Sequence, residues 1–137
     1  MLVKDLMTTT VTSITPDSPV ASAIKIMRSE DVGIVPVCDV QRHLLGVITD
    51  RDILMRDGFN KNAEDVMSTN VVSAAPKDDI HDAALKMSQH GVRRLPVIEN
   101  EKLTGMLSIK DLAGKKIFTA EIGHIMYSIC NKKTQHD

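Results

Sequence analysis

Two short segments of the sequence carry a hydroxyl residue followed three positions later by an aspartate. They are Thr49–Asp52 and Ser108–Asp111, and each follows a glycine and two hydrophobic residues. Such a pair can form a capping box, in which both side chains accept hydrogen bonds from backbone amides at a helix start. The same residues could instead bind a ligand. An ionised carboxylate is a strong acceptor for the two hydroxyls of a ribose, and a helix N-terminus favours a phosphate.

The preceding glycines, Gly46 and Gly105, bear on this choice. A glycine lets another group approach the backbone closely, and here it occurs at equivalent places in two copies of the motif. Both interpretations stay open at this point, but the duplication favours a shared function.

The motifs belong to a longer internal repeat with a period of sixty residues, shortened by one residue late in the second copy. A repeat at a fixed period indicates a duplicated structural unit. Equivalent pairs include Asp5 and Asp65, Met7 and Met67, Pro16 and Pro76, Met27 and Met87, Pro36 and Pro96, and Asp52 and Asp111. The repeat predicts three segments: residues 1–58, residues 59–114, and a helical tail at residues 115–137.

The first half of each copy predicts a strand followed by a helix. Val11–Ile14 is a candidate short strand that ends at Pro16. Ser18 before Pro19 is typical of a helix start, with a side-chain cap and a proline in the first helical position. In the second copy, Asp78 or Asp79 takes the capping position.

The second half of each copy predicts two strands and a helix. Gly33–Cys38 and Leu44–Ile48 are rich in β-branched residues and predict a hairpin or two neighbouring strands. Because proline cannot donate to a ladder, Pro36 and Pro96 predict an edge strand or a bulge. A helix follows over Asp50–Arg56. The fold class is therefore α/β in the wide sense (α+β), with two β-α-β-β-α copies that we expect to pack through a pseudo-twofold axis, since one copy is marginal alone.

At this point the sequence resembles the CBS-domain family, whose tandem pairs are called Bateman modules. Copy one carries Gly33-Ile34-Val35-Pro36-Val37 followed by the Gly46–Asp52 motif. Copy two keeps Pro96, Gly105, Ser108 and Asp111, but Arg93 stands where copy one has Gly33. The resemblance covers about residues 1–114.

The resemblance implies a regulatory module that binds AMP, ADP, ATP or S-adenosylmethionine in clefts between the repeats, and no obligatory cofactor. Asp52 and Asp111 would hold the ribose hydroxyls, and Thr49 and Ser108 would contact ribose or phosphate. The base would be lined by two strand segments and by a valine before each. These residues are Ile34, Val35, Pro36 and Val37 with Val11, and Arg94, Leu95, Pro96 and Val97 with Val71.

Four basic residues near the motifs are candidates for holding the charge of a polyphosphorylated ligand. They are Arg51, Lys110, Arg93 and Arg94. The alternative is that they are ordinary solvated surface residues. Arg93 and Arg94 are adjacent, so on a strand they face opposite sides and only one of them would reach a given phosphate.

Composition excludes several other classes of function. The formal charge of −1 and the aromatic content of 2% offer neither an electrostatic footprint nor a stacking platform for nucleic acid. No apolar run has the length of a membrane span. Two cysteines are too few for a disulfide framework and predict reduced thiols in the cytoplasm. The five histidines show no metal-ligand spacing, and no nucleophile–base motif is present, so no metal site and no catalytic residue is predicted.

The tail and the regulatory output are the subjects of two further predictions. Apolar residues at 117, 118, 122, 125, 126 and 129 predict a tail helix that packs on its own chain or contributes to a subunit interface. The family resemblance implies a homodimer, and any output would pass through an unknown effector protein. The alternative function is a protein-interaction or dimerisation module whose ligand clefts are vestigial.

Overall fold

The computed structural model describes residues 1–114 and 119–136 as short helices alternating with two β-hairpins. Residues 1–55 contain α1 (Val3–Leu6), α2 (Val20–Glu30), β1 (Ile34–Cys38), β2 (Leu44–Thr49) and α3 (Asp50–Met55). The remainder contains α4 (Ala63–Val66), α5 (Ile80–His90), β3 (Arg94–Glu99), β4 (Lys102–Ser108), α6 (Ile109–Ala113) and α7 (Thr119–His136). Within the described residues, no helix combines the length and hydropathy that a membrane span requires.

The chain divides into two compact units that do not follow the repeat in a simple way. One, called the Asp52 unit, consists of Val11–Val71 and Asn100–Leu103. The other, called the Asp111 unit, consists of Met1–Thr10, Val72–Glu99 and the described part of Thr104–Asp137. The first ten residues therefore belong to the unit that carries the second motif. The segment boundaries expected from the repeat stay a prediction.

The Asp52 unit is built on the antiparallel hairpin of β1 and β2. Ile34 pairs with Thr49 and Pro36 with Val47, and the register shifts between Val37 and Cys38. Pro36 itself pairs in register, so the bulge does not lie at the proline. The edge-strand alternative holds, because β1 and β2 form a two-stranded sheet. The core of the unit comprises Ile14, Val20, Ala23, Val35, Val37, Ile48, Ile53, Ala63 and Val66.

The Asp111 unit repeats this plan with β3 and β4 and adds the tail helix. α5 and α7 pack together, and Ile125 of α7 is 1% exposed within a core that includes Met87 and Leu107. The hydroxyls of Ser88 and Ser128 lie 3.0 Å apart across the same pair of helices. The tail helix thus packs on its own chain through Ile125 and Ile129. This was one of the two alternatives that the sequence left open. The predicted stripe positions 117 and 118 lie outside the described residues.

The first strand of each copy is smaller than the sequence predicted. The segment Val11–Ile14 forms no strand, and only Ile14 makes a bridge, parallel to Val37. Its amide donates to the Pro36 carbonyl at 3.0 Å, and the Cys38 amide donates to the Ile14 carbonyl at 2.8 Å. Ala74 makes the corresponding bridge to Val97. A single bridge is enough because the hairpin supplies the rest of the sheet.

The predicted cap of the first long helix is wrong, whereas that of its counterpart is confirmed. Pro19 is the N-cap residue of α2 and contributes no side-chain bond. The Ser18 hydroxyl accepts instead from the Thr15 amide at 3.1 Å. The Val20 amide donates to the Lys61 carbonyl at 2.9 Å, so a distant segment satisfies the helix start. In α5, Asp79 accepts from the His81 amide at 2.8 Å.

Two one-turn helices, α1 and α4, were not expected from the sequence. Asp5 accepts a hydrogen bond from the Leu2 amide at 2.8 Å, and Asp65 accepts one from the Asn62 amide at 3.1 Å. The two aspartates are equivalent in the repeat. Both copies have an aspartate at this position because its side chain caps a one-turn helix. A helix of four residues is too short to show an apolar period, which is why the pattern missed it.

Candidate functional site

The first motif lies where β2 ends and α3 begins. The Thr49 hydroxyl accepts from the Asp52 amide at 3.0 Å, and Oδ2 of Asp52 accepts from the Thr49 amide at 2.9 Å. This reciprocal pair is a complete capping box. Both residues are half-buried. The capping interpretation is therefore confirmed for Oδ2 of Asp52, whereas Oδ1 takes no part in the capping box.

The second oxygen of Asp52 is held by a residue that sequence reasoning did not select. The Ser68 hydroxyl donates to Oδ1 of Asp52 at 3.1 Å. Ser68 is brought there by backbone pairing with Val47, through hydrogen bonds of 3.0 and 2.8 Å. Its repeat equivalent is Thr8. The sequence feature that could have identified Ser68 is that both copies have a hydroxyl residue directly after the repeated methionine.

The second motif has the same backbone arrangement but a different set of bonds. Oδ2 of Asp111 accepts from the Ser108 amide at 2.8 Å and from the Ser108 hydroxyl at 3.1 Å. The Asp111 amide lies 3.3 Å from the Ser108 hydroxyl. Among the residues described here, none is hydrogen-bonded to Oδ1 of Asp111. Thr8 pairs with Met106 through two backbone bonds of 2.9 Å, and its hydroxyl makes no bond to this carboxylate.

The glycine before each motif has a purpose other than ligand approach. A Cβ on Gly46 would lie 2.7 Å from the Ser68 carbonyl oxygen, and one on Gly105 would lie 2.9 Å from that of Thr8. Each glycine admits a segment of the chain itself. The expectation of a close approach is confirmed, but the approaching group is backbone and not a ligand, so the glycines do not support the binding interpretation.

The strand segments expected to line a base present mainly buried side chains. Val35, Val37, Leu95 and Val97 are each fully buried in the core of their own unit. The carbonyl of Pro36 accepts from Ile14 and that of Pro96 from Ala74, both at 3.0 Å. Ile34 and Arg94 are half-buried. That these segments line a base stays a prediction. The side chains available for it are those of Ile34 and Arg94, the first residues of β1 and β3.

The two valines expected beside the base lie at the ends of one unit. Val11 begins the Asp52 unit and Val71 ends its main segment, and both are half-buried. Val11 thus shares a unit with Thr49 and Asp52. Val71 does not share one with Ser108 and Asp111.

The basic candidates are distributed unevenly between the motifs. Arg93, Lys110 and Arg51 are exposed, and Arg94 is half-buried. The Arg93 carbonyl accepts from the Ile109 amide at 2.8 Å, which places this arginine directly beside the start of α6. The equivalent contact in the Asp52 unit joins the Gly33 carbonyl and the Asp50 amide at 3.2 Å. In the Asp52 unit, Gly33 and Asp50 thus occupy the positions that Arg93 and Ile109 occupy in the Asp111 unit.

Among the described residues, the pKa values that depart from their ordinary range belong to Cys38, at the end of β1, and to Asp39, in the turn that follows. Burial of Cys38 raises the pKa of its thiol, against a smaller lowering by a hydrogen bond from Ser13. For Asp39, loss of water contact acts to raise the pKa. The hydrogen bonds from the His43 ring and from the His43 and Gln41 amides outweigh it and leave the pKa below its usual value. The His43 ring nitrogen Nδ1 lies 2.8 Å from Oδ2 of Asp39.

No group of three or more histidine, cysteine, aspartate or glutamate side chains is arranged to hold a metal ion within residues 1–114 and 119–136. The motif carboxylates Asp52 and Asp111 are hydrogen-bond acceptors in this structure.

Comparison with known proteins gives concordant results. The sequence pattern of the CBS domain matches residues 3–57 and 63–116. The CBS domain-containing protein YhcV of Bacillus subtilis is 36% identical over 136 residues, which is 95% of this chain and 96% of that protein. The structure of CBSX2 in complex with AMP is 26% identical with a TM-score of 0.78, over 85% of this chain and 96% of that one. The CBS domain pair of protein MJ0100, in complex with 5'-methylthioadenosine and S-adenosyl-L-methionine, is 25% identical with a TM-score of 0.75, over 86% and 99%.

Proposed function

Because this chain belongs to the CBS domain family, we propose that it is a non-catalytic regulatory module that binds AMP or another adenosyl ligand. Asp52 and Asp111 are the acceptors for the ribose hydroxyls. The observation that carries the proposal is that the two repeats hold an equivalent half-buried carboxylate in the same capping geometry. One oxygen of each is fixed by the helix start, which orients the other.

The physical basis is the preorganisation of a charged acceptor. A carboxylate forms stronger hydrogen bonds than a neutral oxygen does, and a side chain already fixed by its own helix loses little freedom when a ligand binds. The relatives in complex with AMP and with S-adenosyl-L-methionine share adenosine as the common part of their ligands. The proposed ligand class is therefore defined by its adenosyl group, and phosphate number is a secondary property.

The remaining predicted contacts complete the proposed site. Thr49 and Ser108 lie beside the ribose. The strand segments Ile34–Val37 and Arg94–Val97 line the base, together with Val11 and Val71. The phosphate is held by Arg51, by Lys110 and by one of the adjacent pair Arg93 and Arg94. Aliphatic packing on the base is required because the chain has only 2% aromatic residues. The free thiols of Cys38 and Cys130 support a cytoplasmic location.

Ligand-dependent stabilisation tests this function. A ligand that binds the folded state raises stability by about 2.7 kcal/mol at a concentration 100 times its Kd. We expect AMP, ADP, ATP or S-adenosylmethionine to raise the melting temperature with the logarithm of concentration. The double substitution Asp52→Asn with Asp111→Asn should weaken binding by about 10- to 100-fold, because each site loses charge-assisted bonds.

The matched control is Asp79→Ala, which removes a helix cap outside both motifs. It should lower stability by about 1 kcal/mol and leave ligand affinity unchanged. The proposal is wrong if none of the four ligands shifts the melting temperature. It is also wrong if the double variant binds as tightly as the control does.

A second candidate, self-association, is favoured by exposed apolar side chains on the Asp52 unit. Leu54 and Met55 at the end of α3, and Phe59 just beyond, are 68%, 70% and 55% exposed. Large apolar side chains grouped at a surface are typical of an interface. We propose a second copy of this chain as the partner, which gives the homodimer implied by the family. Sedimentation equilibrium should show a dimer that Leu54→Lys with Met55→Lys dissociates; a wild-type monomer at tens of micromolar would refute it.

A further inference from the structure

The two motif carboxylates each accept two hydrogen bonds but distribute them differently over their two oxygens. Asp52 accepts one hydrogen bond on each oxygen, from the Thr49 amide and from the Ser68 hydroxyl. Asp111 accepts both of its bonds on Oδ2, from the amide and hydroxyl of Ser108. An ionised carboxylate oxygen has two lone pairs. Within the part of the chain that the structure describes, no residue bonds to Oδ1 of Asp111, so both lone pairs of this oxygen are available to a ligand. Oδ1 of Asp52 has one lone pair left, because the other accepts from Ser68.

A second, independent difference is the charge around the motifs. The Asp111 motif contains Lys110, and the Arg93 carbonyl accepts from the Ile109 amide at the start of the same helix. Because Arg93 and Arg94 face opposite sides of the strand, Lys110 and one of these two arginines can supply positive charge beside the motif. In the Asp52 motif, Arg51 lies between Asp50 and Asp52, and Gly33 and Ile34 replace the two arginines. A phosphate is attracted to the first arrangement. The second is dominated by negative charge, which disfavours it.

On the basis of the function proposed above, we propose that the two motifs are unequal. The Asp111 motif binds a phosphorylated adenine nucleotide first and more tightly. Ser68 acts as a resident hydroxyl that competes with the ribose for Asp52. Hydrogen bonding and charge favour the same order, so the unequal affinity does not depend on either alone.

Ser68 is the residue that makes the inequality testable. Its backbone pairs with Val47 through two bonds that its side chain does not contribute to. Ser68→Ala therefore removes the competing hydroxyl and keeps the segment in place. Thr8 is the matched control, because it occupies the equivalent backbone position beside Met106 but forms no bond to a motif carboxylate. Thr8→Ala should leave both affinities unchanged.

Calorimetric titration of the full chain with AMP is the experiment. We expect a tight binding step that Asp111→Asn weakens by about tenfold or more, and that Asp52→Asn leaves within about twofold of wild type. Ser68→Ala should strengthen the weaker step by about three- to tenfold, as expected for removal of one competing hydrogen bond. Adenosine, which lacks the phosphate, should bind with a smaller difference between its two steps.

The outcomes separate this inference from the function on which it rests. If wild type binds no AMP, both are wrong. If wild type binds AMP but Asp52→Asn weakens the tight step as much as Asp111→Asn does, the function stands and the inequality is refuted. If Ser68→Ala and Thr8→Ala behave alike at the weaker step, Ser68 has no competing role.

Discussion

The close approach of Ser68 to Gly46 gives the sharpest prediction about how the Asp52 motif is held. An alanine at position 46 would place its Cβ 2.7 Å from the Ser68 carbonyl oxygen and 3.0 Å from the Met67 sulfur. The methionine side chain can move, but the carbonyl belongs to a paired backbone. We therefore expect Gly46→Ala to push the segment away from Val47.

The magnitude follows from what that displacement breaks. Overpacking of a tight contact costs about 1–3 kcal/mol. The two backbone bonds between Val47 and Ser68, 3.0 and 2.8 Å long, are worth about 1 kcal/mol each. Because relieving the clash sacrifices the bonds, the costs overlap, and we expect a loss of about 2–4 kcal/mol. This is a large part of the roughly 5–15 kcal/mol that stabilises a typical folded chain.

Urea unfolding measures the loss, and Gly33→Ala is the matched control. A Cβ on Gly33, just before β1, would lie 3.6 Å from Oδ2 of Asp50, which is an ordinary contact. This variant should stay within about 0.5 kcal/mol of wild type. With a urea m-value of about 2 kcal/mol/M, the middle of the usual range for small proteins, Gly46→Ala should lower the unfolding midpoint by about 1–2 M. Equal midpoints for the two variants would refute the reasoning.

Three further predictions follow from other parts of the chain. Ile125→Ala should cost about 2–5 kcal/mol in urea unfolding, since this side chain is 1% exposed; a loss under 1 kcal/mol would mean that the tail helix does not pack as described. In native protein a thiol reagent should modify exposed Cys130 and spare Cys38, whose burial raises its pKa; modification of both before unfolding would contradict this. The lowered pKa of Asp39 means that its carboxylate stabilises the fold above its unfolded pKa of about 3.9 and ceases to do so as the pH falls through the folded value. Asp39→Asn should therefore lose less stability than wild type between pH 6 and pH 3, as measured by thermal unfolding, and identical losses would exclude the effect.

Local sequence patterns were sufficient for the elements whose contacts are local. The β-branched runs predicted the hairpin that Ile34–Cys38 forms with Leu44–Thr49. The hydroxyl–aspartate spacing predicted the capping boxes at Thr49 and Ser108. In these cases the partners lie within a few residues of each other along the chain, so their spacing is visible in the sequence.

Long-range pairing explains what the sequence did not predict. Ser18 does not cap α2, because Pro19 occupies the N-cap position and the Ser18 hydroxyl accepts from the Thr15 amide. The Val20 amide at the helix start donates to the distant Lys61 carbonyl. Likewise, the bond from Ser68 to Asp52 spans sixteen residues and depends on the absence of a side chain at Gly46. The repeat marked these positions as equivalent, but only the folded structure shows which segments meet.

The affinity of the wild-type protein for AMP, compared with its 2',3'-dideoxy analogue, is the most direct test of the ribose-binding role of Asp52 and Asp111. The comparison changes only the ligand, so helix capping by the two aspartates is left intact. We predict that AMP binds, and that loss of both sugar hydroxyls weakens binding by about 10- to 100-fold. Equal affinity for the two compounds, or no binding of AMP, would contradict the account.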